Sequence, residues 1–132
     1  MSDLYREHLL DHYENPRHHA TLADADFSHQ ASNPLCGDHV RIDVKLSEDK
    51  TRIADAAFSG EGCIISQAAT SMLLESVMGW RIDDVEQLDP QHVLSLIGVP
   101  LTANRVKCAL LGLKVLKTGI KLWKLQQMQH SA

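Results

Sequence analysis

Val40, Ile42, Val44 and Leu46 alternate with Arg41, Asp43 and Lys45. A period of two over seven residues predicts a strand with one dry face and one wet face. Ser-Glu-Asp-Lys at 47–50 reads as a hairpin turn, and Ile53, Ala54, Ala56, Ala57 and Phe58 give a second, less regular strand. The pair predicts an antiparallel hairpin. Residues 17–35 carry weak periodicity and read as an extended connection. Gly60-Glu61-Gly62 reads as the break that ends the second strand.

The helices are read from caps and breakers. Ser2 or Asp3 can cap a first helix running to about Glu14, which Asn15-Pro16 stops. Residues 64–78 form a helix ending at Gly79, with small and apolar residues around most of its circumference, as in a buried helix. Short helices are expected over 82–87 and 90–97, and a last one from about 102–104 to 127. On that last helix, Lys107, Lys114, Lys117, Lys121 and Lys124 fall within one arc of roughly 100°. This is read as a solvated face. Cys108 lies nearly opposite, within the apolar arc, and is expected to point inward. With 132 residues, 44% of them apolar, the chain suits one domain over 1–132.

Net charge is −4, which argues against a generic nucleic-acid binder. The longest stretches free of Asp, Glu, Lys and Arg, 62–74 and 91–104, fall short of a membrane span. The N-terminal MSDLYREHLL has no cationic region leading into an apolar run, so no secretory signal is expected and a cytoplasmic protein is.

Three cysteines, Cys36, Cys63 and Cys108, are too few and too scattered for a disulfide framework, and no CxxC occurs. Each alone reads as a core or incidental thiol. Together they share a position at the ends of elements, where sites form. Cys36 sits in a Pro/Gly turn before a strand. Cys63 follows a strand and opens a helix, and Cys108 is placed in the first turn or so of another. A helix N-terminus favours a thiolate. Three thiolates and Asp38, two residues from Cys36, make four ligands suited to Zn²⁺ or to iron in a cluster. Oxygen matches soft iron–sulfur chemistry less well than thiolate does, so a site closed by Asp38 is expected to release its contents. His8 and His12 lack the glutamate of a zincin motif and read as surface residues, while His39 adjoins Asp38 as a candidate transient ligand, against which strand alternation turns neighbours apart. A cysteine hydrolase using Cys63 is disfavoured, because no activating histidine is placed for it.

Four stretches carry a family pattern: LYREHLLDHYENPRH (4–18), NPLCGD (33–38), GEGCIISQAATSMLLE (60–75) and RVKCALLGLKVL (105–116). In these the chain resembles the U-type iron–sulfur cluster assembly scaffolds: IscU, SufU and the N-terminal domain of NifU. The resemblance implies an α+β fold, a three-stranded antiparallel sheet with helices packed mainly on one face. It implies convergence of Cys36, Asp38, Cys63 and Cys108 as cluster or metal ligands. It also implies a transient [2Fe–2S] cluster, built from iron and sulfur delivered by a cysteine desulfurase and handed to apo-proteins. The IscU and NifU branches carry His before the third cysteine, where this chain has Lys107. RVKC is instead similar to the SufU branch, whose insertion between the second and third cysteines is missing here. The LPPVK chaperone segment is replaced by GVPLTANRVK, so a specialised Hsp70 partnership is not implied. The SufU resemblance implies an alternative: Zn²⁺ on Cys36, Asp38, Cys63 and Cys108, with Cys36 accepting persulfide sulfur in a zinc-dependent sulfur transfer. On the main reading the protein is a carrier rather than a turnover enzyme.

Overall fold

The computed structural model describes residues 2–34 and 37–130. Eight elements follow in order: α1 (Ser2–Glu14), β1 (Phe27–Asn33), β2 (Asp38–Leu46), β3 (Ile53–Glu61), α2 (Ile64–Val77), α3 (Ile82–Glu86), α4 (Pro90–Ile97) and α5 (Ala103–His130). The side chains of Ser2 and Asp3, and with them the expected cap of α1, lie outside the described residues. The strands form one antiparallel sheet in the order β1-β2-β3.

The alternation in β2 works as expected. Val40, Ile42, Val44 and Leu46 are buried beneath α2 and α5, joined in register by Phe58, Ala56 and Ile53 of β3. The helices therefore cover one face of the sheet, α5 over β1 and β2, and α2 over β3.

Two expectations at the edges are corrected. The connection over 17–35 contains a strand, β1. Its sheet-inward residues are Phe27, His29, Ala31 and Asn33, opposite Val44, Ile42, Val40 and Asp38. Only Phe27 and Ala31 are apolar, so the hydrophobic contrast is low and the ladder with β2 makes the strand. Likewise β3 does not stop before Gly60, because Gly60 and Glu61 still pair with Val40 and His39.

The wet face of β2 is only partly wet. Asp43 is 2% exposed and accepts from Ser28 Oγ at 2.5 Å, Arg41 Nε at 2.9 Å and the Leu22 N–H at 3.1 Å. Residues 18–20 pair with the outer edge of β3, through Ala20 N–H to Phe58 O and Phe58 N–H to His18 O. The otherwise open edge strand is thereby covered.

The helix stops follow their breakers. Asp89 caps α4 ahead of Pro90, and Gly98 ends it in the left-handed conformation. The lysine arc of α5 is not wholly a solvated face. Lys117 donates to Leu88 O at 2.6 Å, and Lys124 bridges Asp83 and Glu86, which ties α5 to α3 and the turn after it. Lys107, Lys114 and Lys121 are exposed. No helix among the described residues is long and apolar enough to cross a membrane.

Candidate metal centre

Three elements meet at one end of the sheet. Asp38 opens β2 and faces the helices, because it continues the dry-face register of Val40 and Ile42. Cys63 sits between the end of β3 and the start of α2, as the residue capping that helix with an extended backbone. Cys108 lies on the sheetward face of α5 and is fully buried.

One carboxylate oxygen of Asp38 and the two sulfurs lie within 4.8 Å of one another. Asp38 is fully buried, and its Oδ1 accepts the Cys63 N–H at 2.8 Å. The carboxylate therefore occupies the position of a cap on α2, where the partial positive charge of the helix start favours an anion. Its second oxygen is 3.9 Å from Cys63 Sγ. Asn33, paired in register with Asp38, directs Nδ2 to Cys108 Sγ at 3.9 Å. Ser66 Oγ donates to Cys63 O at 3.2 Å and supports the first turn of α2.

Gly62 makes room for this arrangement. A Cβ there would lie 2.4 Å from Ser66 Oγ and 2.6 Å from Asp38 Oδ1. The sequence places Gly62 at a strand end, but its work is to let the backbone pass against the carboxylate.

The donor set suits a thiophilic divalent ion. A tetrahedral site with Zn–S of ~2.3 Å and Zn–O of ~2.0 Å places a sulfur and an oxygen ~3.5 Å apart, so the 3.9 Å between Asp38 Oδ2 and Cys63 Sγ closes by a few tenths of an ångström around an ion. Two thiols and a carboxylate supply three such donors. Cys36, expected as the fourth ligand and as sulfur acceptor, lies outside the described residues.

Other expected residues fall differently. Cys108 is the sixth residue of α5, beyond the first turn, so the N-terminal charge of that helix acts on it less than expected. His39 turns to the opposite face, where it meets Ser32 Oγ and Gln30 Oε1. His8 is exposed, as read.

His12 corrects the surface reading. It is fully buried against α2, with Nδ1 2.8 Å from Ser71 Oγ and Nε2 3.7 Å from Glu75. Burial holds its imidazole below the usual histidine range, reinforced by Arg17 and His8, while Glu75 and Asp11 pull the other way. A histidine counted as polar gives no sign of this; its position one turn from Leu9, on the packed side of α1, was the available signal.

An α+β domain with helices on one face, carrying a thiol–carboxylate centre between the sheet end and two helices, defines a class of small sulfur- and metal-handling domains. The model of the NifU-like N-terminal domain matches residues 4–130, and the chain belongs to that family. It is 34% identical over 137 aligned positions, covering 91% of each chain, to a Bacillus subtilis protein named zinc-dependent sulfurtransferase SufU. The aligned positions outnumber the 132 residues of this chain, so that relative carries residues missing here. The chain is 35% identical over 127 positions, 96% of its own length and 80% of the relative's, to an Aquifex aeolicus protein named iron–sulfur cluster assembly scaffold protein IscU. A solved structure from Fervidobacterium islandicum, described as a putative iron–sulfur cluster assembly scaffold protein for the SUF system, superposes with a TM-score of 0.71 at 26% identity. That superposition covers 86% of this chain and 94% of the other.

Proposed function

We propose that this chain, as a single domain over 1–132, is an iron–sulfur cluster assembly scaffold. It accepts sulfur from a cysteine desulfurase, builds a transient [2Fe–2S] cluster on Cys36, Asp38, Cys63 and Cys108, and passes it to apo-proteins. The observation that carries this reading is the convergence of Asp38, Cys63 and Cys108, from three separate elements, within 4.8 Å. Family membership and the IscU relatives support it.

Each residue has a distinct task. Cys63 and Cys108 supply the soft sulfur donors that retain iron. Asp38 supplies a harder oxygen donor through Oδ2, while its Oδ1 accepts the Cys63 N–H. Oxygen matches soft iron–sulfur chemistry less well than thiolate does, which favours release over permanent storage.

A second reading is zinc-dependent sulfur transfer, with Zn²⁺ on the same four residues and Cys36 as the persulfide acceptor. The convergence of two thiols and a carboxylate, a donor set that one tetrahedral zinc ion accepts, supports it, as does the Bacillus subtilis relative. Attack on a persulfide requires a thiolate, and coordination supplies one without the need for a base.

One preparation separates the two. Metal content is measured after purification without added metal, followed by anaerobic reconstitution with iron, desulfurase and cysteine. Scaffold function gives visible charge-transfer bands that are lost in Cys36→Ser, Cys63→Ser or Cys108→Ser. Sulfur transfer gives near-stoichiometric zinc and desulfurase stimulation that disappears in Cys36→Ser. Absence of both metals, with function retained in the triple Cys→Ser protein, overturns both.

A further inference from the structure

Gln67 lies one turn beyond Cys63 on α2, and its N–H donates to Cys63 O at 3.2 Å. Residues four apart share a helix face, and helical side chains slant toward the N-terminus. The Gln67 side chain is thus carried along the Cys63 face toward the thiols. Farther along α2, Thr70 abuts Gly112 of α5, itself one turn beyond Cys108. The seam between the two helices runs from the thiol pair to this contact, and Gln67 lies along that stretch.

Its Nε2 is buried and has no hydrogen-bond acceptor among the described residues. A buried amide N–H₂ without an acceptor is costly and rare, and it calls for a partner that arrives later. Neither thiol sulfur serves as that acceptor. A donor one turn along the helix that Cys63 opens, left unsatisfied by the cysteines themselves, is suited to a sulfur atom held beyond them.

We propose that Gln67 is a positioning residue for the cargo: its amide donates a hydrogen bond to inorganic sulfide of a cluster held by Cys63 and Cys108. The proposal rests on the scaffold reading of the site. Hydrogen bonds to cluster sulfurs raise the reduction potential by stabilising the more negative state, and they hold the cluster in place. The same amide is a burden to the empty protein, because its desolvation goes uncompensated until the cargo arrives.

The two consequences have opposite signs, and that is the test. Parent, Gln67→Met and Gln67→Glu proteins are reconstituted anaerobically with iron(III) and sodium sulfide. Methionine keeps the length and removes the donor, and glutamate keeps the shape and removes the donor. The metal-free Gln67→Met protein is expected to melt at or above the parent temperature. Its cluster is expected to have a more negative reduction potential and to lose iron to a chelator several-fold faster. Gln67→Glu is expected to lose iron faster still, through repulsion of the sulfide. A parent that forms no sulfide-containing centre overturns the scaffold reading and this inference together. A parent cluster matched by Gln67→Met in both potential and release rate overturns the inference alone.

Discussion

The Asp38 carboxylate is held by contacts that a single methyl group would disturb. Gly62 passes so close that a Cβ would overlap both Ser66 Oγ and Asp38 Oδ1. In Gly62→Ala the serine can rotate away, but the close contact with the buried aspartate remains and pushes on it. The expected outcome is a shifted carboxylate and metal affinity weakened by about 10–100-fold, the range seen when ligand-orienting contacts are lost. Competition with a chromophoric chelator for zinc measures it; unchanged affinity would show that Asp38 is not a ligand. His12 makes a different prediction, because its imidazole titrates below the ordinary histidine value. For a base with a lowered folded-state value, the folded protein binds fewer protons than the unfolded one just below pH ~6.5. Its stability contribution is therefore intact above that pH and declines as pH falls toward the folded-state value. Urea midpoints are expected to drop between pH 7.5 and 5.5, and His12→Gln is expected to flatten that drop. An equal slope in the variant would assign it to other groups.

At the scale of elements, the crossing of α2 and α5 sets the distance between the two thiols. Thr70 and Gly112 make that crossing close, for a Cβ on Gly112 would lie 2.5 Å from Thr70 Oγ1. Gly112→Ala should cost ~1–3 kcal/mol as overpacking. Adding Thr70→Ala should recover part of it, and a double-mutant cycle in denaturant reads the coupling. Additive costs would place the strain elsewhere. These helices were legible in the sequence because breakers such as Asn15-Pro16, Gly79 and Gly98 stand where they end, and β2 because its alternation has high contrast. β1 was not legible from its periodicity, since His29 and Asn33 occupy inward positions and the strand exists through its ladder with β2. The same limit hid part of the site. Cys63, Cys108 and Asp38 declare themselves by chemistry, whereas Asn33 and Gly62 matter through neighbours that are 75 and 24 residues distant, in Cys108 and Asp38 respectively. The buried side of His12 is likewise a property of the α1–α2 contact rather than of the α1 sequence.

Across the whole molecule, the centre is a junction rather than a pocket within one element. Asp38 belongs to the sheet, Cys63 to the start of α2 and Cys108 to α5, so an ion held by all three would cross-link the layers of the fold. Binding to the folded form alone stabilises it by mass action, by about 2.7 kcal/mol at a free ion concentration of 100 times Kd. For a chain of this size that corresponds to a rise in Tm on the order of 10 °C. Thermal melts with zinc buffered at that level, against melts in excess chelator, are expected to show such a rise in the parent. Cys63→Ser and Cys108→Ser should lose most of the increment, whatever their own metal-free Tm, because the comparison is made within each variant. Lys121→Ala, on the exposed side of α5, should keep it. A zinc increment that survives loss of either thiol would place the ion outside this junction, and the proposed ligand set would fall with it.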